Sequence, residues 1–292
     1  MIAAIREQLP TIPLGFLCRH FGSSRSSFYY WQHKGQTVHF VKKSEVCEAI
    51  RKSFEASKQT YGSPRICDDL RDLGIAVSEN TVAKYMREMG LDARLKKRFR
   101  AQTTDSNHSG PIADRLVKVG DENTLPTAPA EMLAGDITYL KLPGGRFLYL
   151  AVVIDLFTRE VVGWSMKESL HTDIILAALT DAMARTSPDA EVIFHSDRGS
   201  QYASDAYRSF CKEKNVLPSM SRRGNCYDNV YVESWFGSLK KEWIYRHDYR
   251  NEKELRALVF EYIEVWYNKR RKRSALGYLS PEKFRNVQQV AQ

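Results

Sequence analysis

A membrane-spanning helix requires roughly 20 consecutive apolar residues, and no run in this 292-residue chain approaches that length. The opening MIAAIREQLP also lacks the basic-then-apolar layout of a secretory signal, so the chain is expected in the cytoplasm, with no membrane partner. Cysteine is scarce and badly spaced for chemistry. The five residues, Cys18, Cys47, Cys67, Cys211 and Cys226, form no CxxC pair and leave an odd count. That excludes a zinc knuckle and a disulfide framework, and leaves buried small apolar residues as the expected role. His33 and His39 are followed by no CxxC either. There is no low-complexity tract and no sustained heptad repeat.

What is present suits a globular protein of two domains: 43% apolar residues, 11% aromatic, and a length above that of one typical domain. The net charge is +9, but it is uneven. Residues 1–110 carry 18 Lys and Arg against 11 Asp and Glu, a net +7; residues 111–292 carry 26 against 24. The front of the chain therefore faces a polyanion. DNA, RNA and acidic lipid all satisfy that requirement, because counterion release needs no sequence preference.

TIPLGFLCRHFGSSRSSFYYW reads as a helix ending near Phe21 and Gly22, a Ser23-Ser24 cap, and a second helix carrying Arg25. A further helix is expected over 45–57. In YGSPRICDDLRDLGIAVSENTVAKYMREMGL, Pro64 opens a helix that stops at Gly74, and Ser78 caps one that stops at Gly90. Two helix-turn-helix units are thus predicted. In the second, Asn80, Thr81, Lys84 and Arg87 share the exposed side, while Val82, Tyr85, Met86 and Met89 turn inward. An ordinary bundle with a solvated face has the same pattern. LKKRFRAQTTDSNHSGPIADR then loses periodicity and reads as a basic linker.

From residue 129 the pattern turns to strands. MLAGDITYLKL, RFLYLAVVIDL and REVVGWSMKESL, broken by LPGG and FT turns, predict a three-stranded antiparallel meander. A helix over 172–186, a strand in EVIFHSD, a helix over 201–214, a strand in VLPSM, and helices over 226–245 and 251–267 follow. The order βββαβαβαα describes a mixed five-stranded sheet with flanking helices, a ribonuclease-H-like α/β core behind an all-α region. The expected domains are 1–100, helical; 101–128, linker; 129–245, core; and 246–292, C-terminal helices and a basic tail.

Three carboxylates occupy unusual places. Asp136 lies within an apolar strand, Asp197 ends the strand of HSDRGSQY, and Glu233 sits among aromatics in NVYVESWFGSLKKE. Buried carboxylates are costly unless paired, protonated or bound to a cation, and three of them at one sheet end would form an oxygen-rich site for Mg2+ or Mn2+. Each also has a plain alternative: a strand-edge residue, a turn cap, and an exposed helix residue paired with Lys240. Sixty residues separate the first two and 35 the second pair; Lys240 follows Glu233 by two helical turns. His195 reads as a core residue satisfied by backbone, and Asp155 is left outside the metal set.

GDITYL, VVIDLFTREVVGW, HSDRGSQY, SRRGNCYDNVYVESWFGSLKKE and YNKRRKRSALGYLSPEKF resemble successive landmarks of the DDE transposases encoded by the second reading frame of IS-three family insertion sequences, relatives of retroviral integrases. The likeness runs from about Ile12 to Phe284. It implies a ribonuclease-H-like core and two Mg2+ ions, replaceable by Mn2+, held by catalytic Asp136, Asp197 and Glu233. It also implies cleavage and strand transfer at insertion-sequence ends, with DNA as partner, in a bacterial, nucleoid-associated protein. The chain is then expected to act as a homo-oligomer on DNA, and as one half of a frameshift fusion with an upstream-frame partner. Lys240 is the first candidate for a DNA phosphate, followed by Lys241, Arg222 and Arg223, with Arg25, Asn80, Lys84 and Arg87 in the helical region. Two departures stand out: MLAGD lacks the family's Trp ahead of the first Asp, and YNKRRKRSALGY has Ser274 nearest the place of a customary His. A non-catalytic DNA-binding repressor, an inactive remnant and a ribonuclease-H-like nuclease are the rival readings.

Overall fold

The computed structural model describes residues 2–8, 12–32, 38–93, 111–116, 125–186, 191–221 and 229–290. They fall into two compact units, Met1–Ala93 and Arg94–Gln292. Among the described residues, no helix is long and apolar enough to cross a membrane.

The first unit is helical: α1 (Ile2–Gln8), α2 (Leu14–His20), α3 (Arg25–Gln32), α4 (Val38–Ala56), α5 (Ser63–Asp72) and α6 (Glu79–Glu88). The first expected helix begins later than its apolar periodicity, because Pro13 is extended (ψ 132°) and serves as the N-cap of α2. The Ser24 hydroxyl accepts from the Ser27 N–H (2.9 Å), and Ser78 Oγ accepts from the Thr81 N–H (3.2 Å), so both serine caps form. Gly74 (φ 75°) and Gly90 (φ 67°) adopt the left-handed conformation that closes α5 and α6, and the N–H groups of Ile75 and Leu91 return to Leu70 and Met86 (both 2.9 Å). The faces of α6 divide by residue type. Val82 and Met86 are buried, Tyr85 and Met89 half-buried, and Asn80, Lys84 and Arg87 exposed.

The second unit carries a mixed sheet of β1 (Met132–Lys141), β2 (Phe147–Asp155), β3 (Val161–Lys167), β4 (Val192–Ser196) and β5 (Val216–Met220), in the order β3-β2-β1-β4-β5. The meander is antiparallel, while β1–β4 and β4–β5 are parallel. On one face, Leu133, Ala151, Val153 and Phe194 pack with α7 (Thr172–Thr186) and with Tyr207 and Cys211 of α8 (Asp205–Glu213). Leu150, Val152 and Ile154 alternate with these and are equally buried. The second face is therefore covered too, and α9 (Val230–Glu242) packs on β1. Helix α7 approaches so closely that a Cβ at Gly163 would stand 2.1 Å from the Ala178 carbonyl oxygen.

The expected helix over 251–267 forms as α10 (Glu252–Phe260) followed by a π-helical stretch, Glu261–Tyr267. Its aromatics stack behind α9, with Trp235 edge-on to Tyr262 and Tyr267, both 5.7 Å between ring centres. The residues beyond 245 are built into this unit. Asn268 gives its amide to the Val161 carbonyl (2.9 Å) and accepts from the Val161 N–H (3.0 Å), pairing with edge strand β3 as a short strand would. Buried Arg271 is gripped by both carboxylate oxygens of Glu242. Helix α11 (Pro281–Val290) follows. In the stretch without the customary His, Ser274 is exposed and opens a 3-10 turn between buried Arg271 and Leu276.

Candidate active site

Parallel pairing of β1 with β4 aligns Ala134 with His195. Two residues further along each chain stand Asp136 and Asp197, so the register carries both carboxylates to neighbouring positions at the C-terminal end of β4. Gly135 makes room for this: a Cβ there would lie 2.4 Å from the Phe194 ring and 3.1 Å from the Val152 carbonyl oxygen. The Phe194 ring thus packs directly against the backbone behind Asp136.

Asp136 is half-buried and accepts from the Ile137 N–H at 2.7 Å. Burial first, then the negative charge of Asp197, pushes its carboxyl well above the usual carboxylate range. Glu233 adds to the rise, while the Ile137 N–H and the Lys240 ammonium oppose it. Asp197, Glu233 and Lys240 thus all act on the Asp136 carboxyl. Glu233, in the first turn of α9, is exposed. Asp197 is a turn residue as well as a candidate: its Oδ1 accepts from the Gly199 N–H at 2.9 Å, closing an Asx turn that ends the strand.

Lys240 is not a solvated surface charge. Its Nζ donates to Thr138 Oγ1 at 2.6 Å and lies 4.9 Å over the Tyr139 ring. Burial holds its ammonium below the ordinary lysine value, partly offset by Asp136. Thr138 shares the strand face of Asp136, and that period-2 signal in DIT was available in the sequence. Lys241, by contrast, is exposed, and so is Arg25 on α3; Arg222 and Arg223 lie outside the described residues.

His195 is a core residue, but side chains satisfy it. It is 1% exposed, with Nδ1 2.8 Å from Ser219 Oγ and Nε2 3.1 Å from Ser221 Oγ. Ser219 Oγ accepts from the Leu116 N–H (2.9 Å), and Ser221 Oγ donates to the Ser196 carbonyl (3.1 Å). Because the Ser221 hydroxyl hydrogen goes to the Ser196 carbonyl, His195 Nε2 donates to Ser221 Oγ. Together with Arg198, whose Nε donates to the Ser221 carbonyl (2.7 Å), it ties the end of β4 to the end of β5 on both sides of Asp197. Asp155 is also structural: it accepts from the N–H groups of Ala130 (2.7 Å), Phe157 (2.7 Å) and Thr158 (3.0 Å), opposite Leu133 in the ladder.

Among the described residues, no three His, Cys, Asp or Glu side chains form a ready-made metal cage. The donor set still fits a hard divalent cation. Mg2+ is usually held by one or two carboxylates, with waters and substrate phosphates completing its shell, and the Asp197 charge that adds to the effect of burial at Asp136 is what a bound cation would offset.

An integrase core domain family matches residues 126–226, a second integrase core domain model matches 214–281, and an HTH-like domain matches 42–99. The chain is 39% identical over 272 residues to the transposase InsF for insertion sequence IS3A of Escherichia coli, covering 92% of this chain and 93% of that one. It is 36% identical over 269 residues to an uncharacterized 31 kDa protein of insertion element IS600 from Shigella sonnei, covering 92% and 97%. The integrase catalytic core domain of HTLV-2, solved in complex with magnesium, matches at 15% identity and a TM-score of 0.43, over 55% of this chain and 98% of that one.

Proposed function

Because the chain belongs to the IS3 family of insertion-sequence transposases, we propose that Asp136, Asp197 and Glu233 are its catalytic carboxylates and hold two Mg2+ ions, or Mn2+ in their place. The protein is a DNA-binding polynucleotidyl transferase. The observation that carries the site assignment is the β1–β4 register, which sets Asp136 beside Asp197 with Glu233 and Lys240 acting on the Asp136 carboxyl.

Magnesium bound there supplies Lewis-acid stabilisation of the phosphoryl oxygens and lowers the cost of deprotonating the attacking oxygen. The chain's own residues do the positioning. His195 and the Asx turn fix Asp197, while Gly135 and Phe194 fix Asp136. Lys240, already desolvated and steered by Thr138, presents its ammonium to a DNA phosphate. Lys241, Arg222 and Arg223 add weaker contacts, and Arg25, Asn80, Lys84 and Arg87 meet DNA through the helical unit. Because water or a freed 3′-OH is the nucleophile, no covalent enzyme intermediate is required. The same carboxylates then serve cleavage and joining. The chain works as a homo-oligomer on the element's terminal repeats, with an upstream-frame partner or fusion contributing to end recognition, in the bacterial cytoplasm at the nucleoid.

Purified chain, Mg2+ and labelled DNA bearing the element's inverted repeats are expected to yield joined products. Hydrolysis without joining would favour a ribonuclease-H-like nuclease. Binding with neither reaction would favour a repressor.

A further inference from the structure

A cavity of about 150 Å3 opens beside Asp136 and Asp197, with Thr138, Tyr149, Leu170 and Tyr202 among its walls. Tyr202 belongs to the 3-10 turn Ser200–Ala203 and is 2% exposed. Its ring is set by Phe194, 6.1 Å between ring centres, and by Tyr207, edge-on at 5.7 Å. Its hydroxyl, however, is buried with no hydrogen-bond partner among the described residues. An unmade bond of that kind costs free energy that a guest molecule recovers. The hydroxyl of Tyr262 is also buried without a partner among the described residues, yet Tyr262 does not line the cavity. Tyr202 combines the two conditions.

The guest's chemistry follows from its neighbours. A phenol held in its protonated form by burial, and by the charges of Asp197 and Asp136, is a donor. The two carboxylates accept and do not donate when ionised. The guest must therefore offer an oxygen acceptor to Tyr202 while lying beside two anions, as a phosphate does when cations screen it. We propose that Tyr202 is a further catalytic residue of this site, its phenolic O–H donating to a non-bridging phosphate oxygen of the DNA strand being cut. This rests on the reading of Asp136, Asp197 and Glu233 as the reacting centre.

Tyr202→Phe keeps the ring and deletes only the donor. In the full chain with Mg2+ and end DNA, cleavage is expected to slow roughly tenfold or more, with the melting temperature unchanged or slightly raised. A single phosphorothioate stereoisomer at the scissile phosphate supplies the second measurement. One of the two isomers is expected to penalise wild type more than Tyr202→Phe, because the variant has already lost the contact. Wild-type cleavage by the variant overturns the proposal. So does a lowered melting temperature or a failure to fold, which would make the hydroxyl a structural partner. Equal phosphorothioate penalties in both proteins would place a water, not a phosphate, at the phenol, and would overturn it as well. Glu233→Gln in the same assay separates the two levels: activity retained there removes the reacting centre itself, whatever Tyr202→Phe shows.

Discussion

Glu233→Gln is expected to bind element-end DNA as wild type does and to lose about a thousandfold or more of magnesium-dependent cleavage and joining. The substitution keeps the shape of an exposed side chain in the first turn of α9, so folding has little reason to change. What it removes is a negative charge that acts on the Asp136 carboxyl. Stabilising phosphoryl charge by metal is worth several kcal/mol of barrier, and about 4 kcal/mol is already a thousandfold. Gel-shift affinity and joined-product yield, measured side by side, separate binding from chemistry, and strand transfer retained by the variant would remove Glu233 from the site. The same change has a titration signature in the metal-free chain. Glu233 is one of the charges that raise the Asp136 carboxyl, so Asp136 is expected to ionise at lower pH in Glu233→Gln than in wild type. A carboxyl-carbon NMR titration reads the direction, and an upward shift would contradict the convergence of these side chains.

Arg271→Met is expected to destabilise the second unit by roughly 3–5 kcal/mol, the usual cost of leaving one member of a buried ion pair alone. Arg271 is 3% exposed and meets both oxygens of Glu242, with Nε donating to Oε2 at 2.6 Å. Burial opposes the guanidinium charge, but the hydrogen bonds to Glu242 outweigh it and keep the group above its ordinary value. The pair joins the end of α9 to the segment after the π-helical stretch, and so fixes the helix that carries Glu233 and Lys240. For a unit of this size each kcal/mol shifts the melting temperature by about 2–4 °C. A double change, Arg271→Met with Glu242→Leu, is expected to recover most of the loss, since apolar replacement of a whole buried pair is often neutral or better. If the single change leaves the denaturation midpoint alone, the pair is not what anchors α9.

Much of this was legible in the sequence where a local rule and the tertiary outcome agree. The meander, α7 over Thr172–Thr186 and β5 over Val216–Met220 follow from apolar periodicity and turn residues. The serine caps at Ser24 and Ser78 follow from cap chemistry. The spacing of the three acidic residues singled them out, but not the pairing that brings two of them together; that depends on parallel contact between β1 and β4, which lie more than 50 residues apart. Lys240 reads as the first candidate for a DNA phosphate, but its contacts with Thr138 and Tyr139 were not legible, because helix position does not say which face meets the sheet. His195 read as a core residue, but its partners Ser219 and Ser221 come from the next strand and its end, out of reach of any local pattern. The basic run after residue 268 suggested a tail, whereas Arg271 is buried by a carboxylate 29 positions earlier. Asp197 shows the two levels coinciding, since the Asx turn that makes it look ordinary is what ends β4 beside Asp136.

The most direct test of the metal assignment replaces Mg2+ with Fe2+ in the complex of full-length chain and end DNA, then adds ascorbate and peroxide so that bound iron cuts the nearby backbone. Cuts clustered near Asp136, Asp197 and Glu233, competed away by excess Mg2+ and reduced in Asp136→Asn, are the expected result. Cuts confined to other parts of the chain, or a pattern indifferent to Mg2+ and to Asp136→Asn, would contradict it.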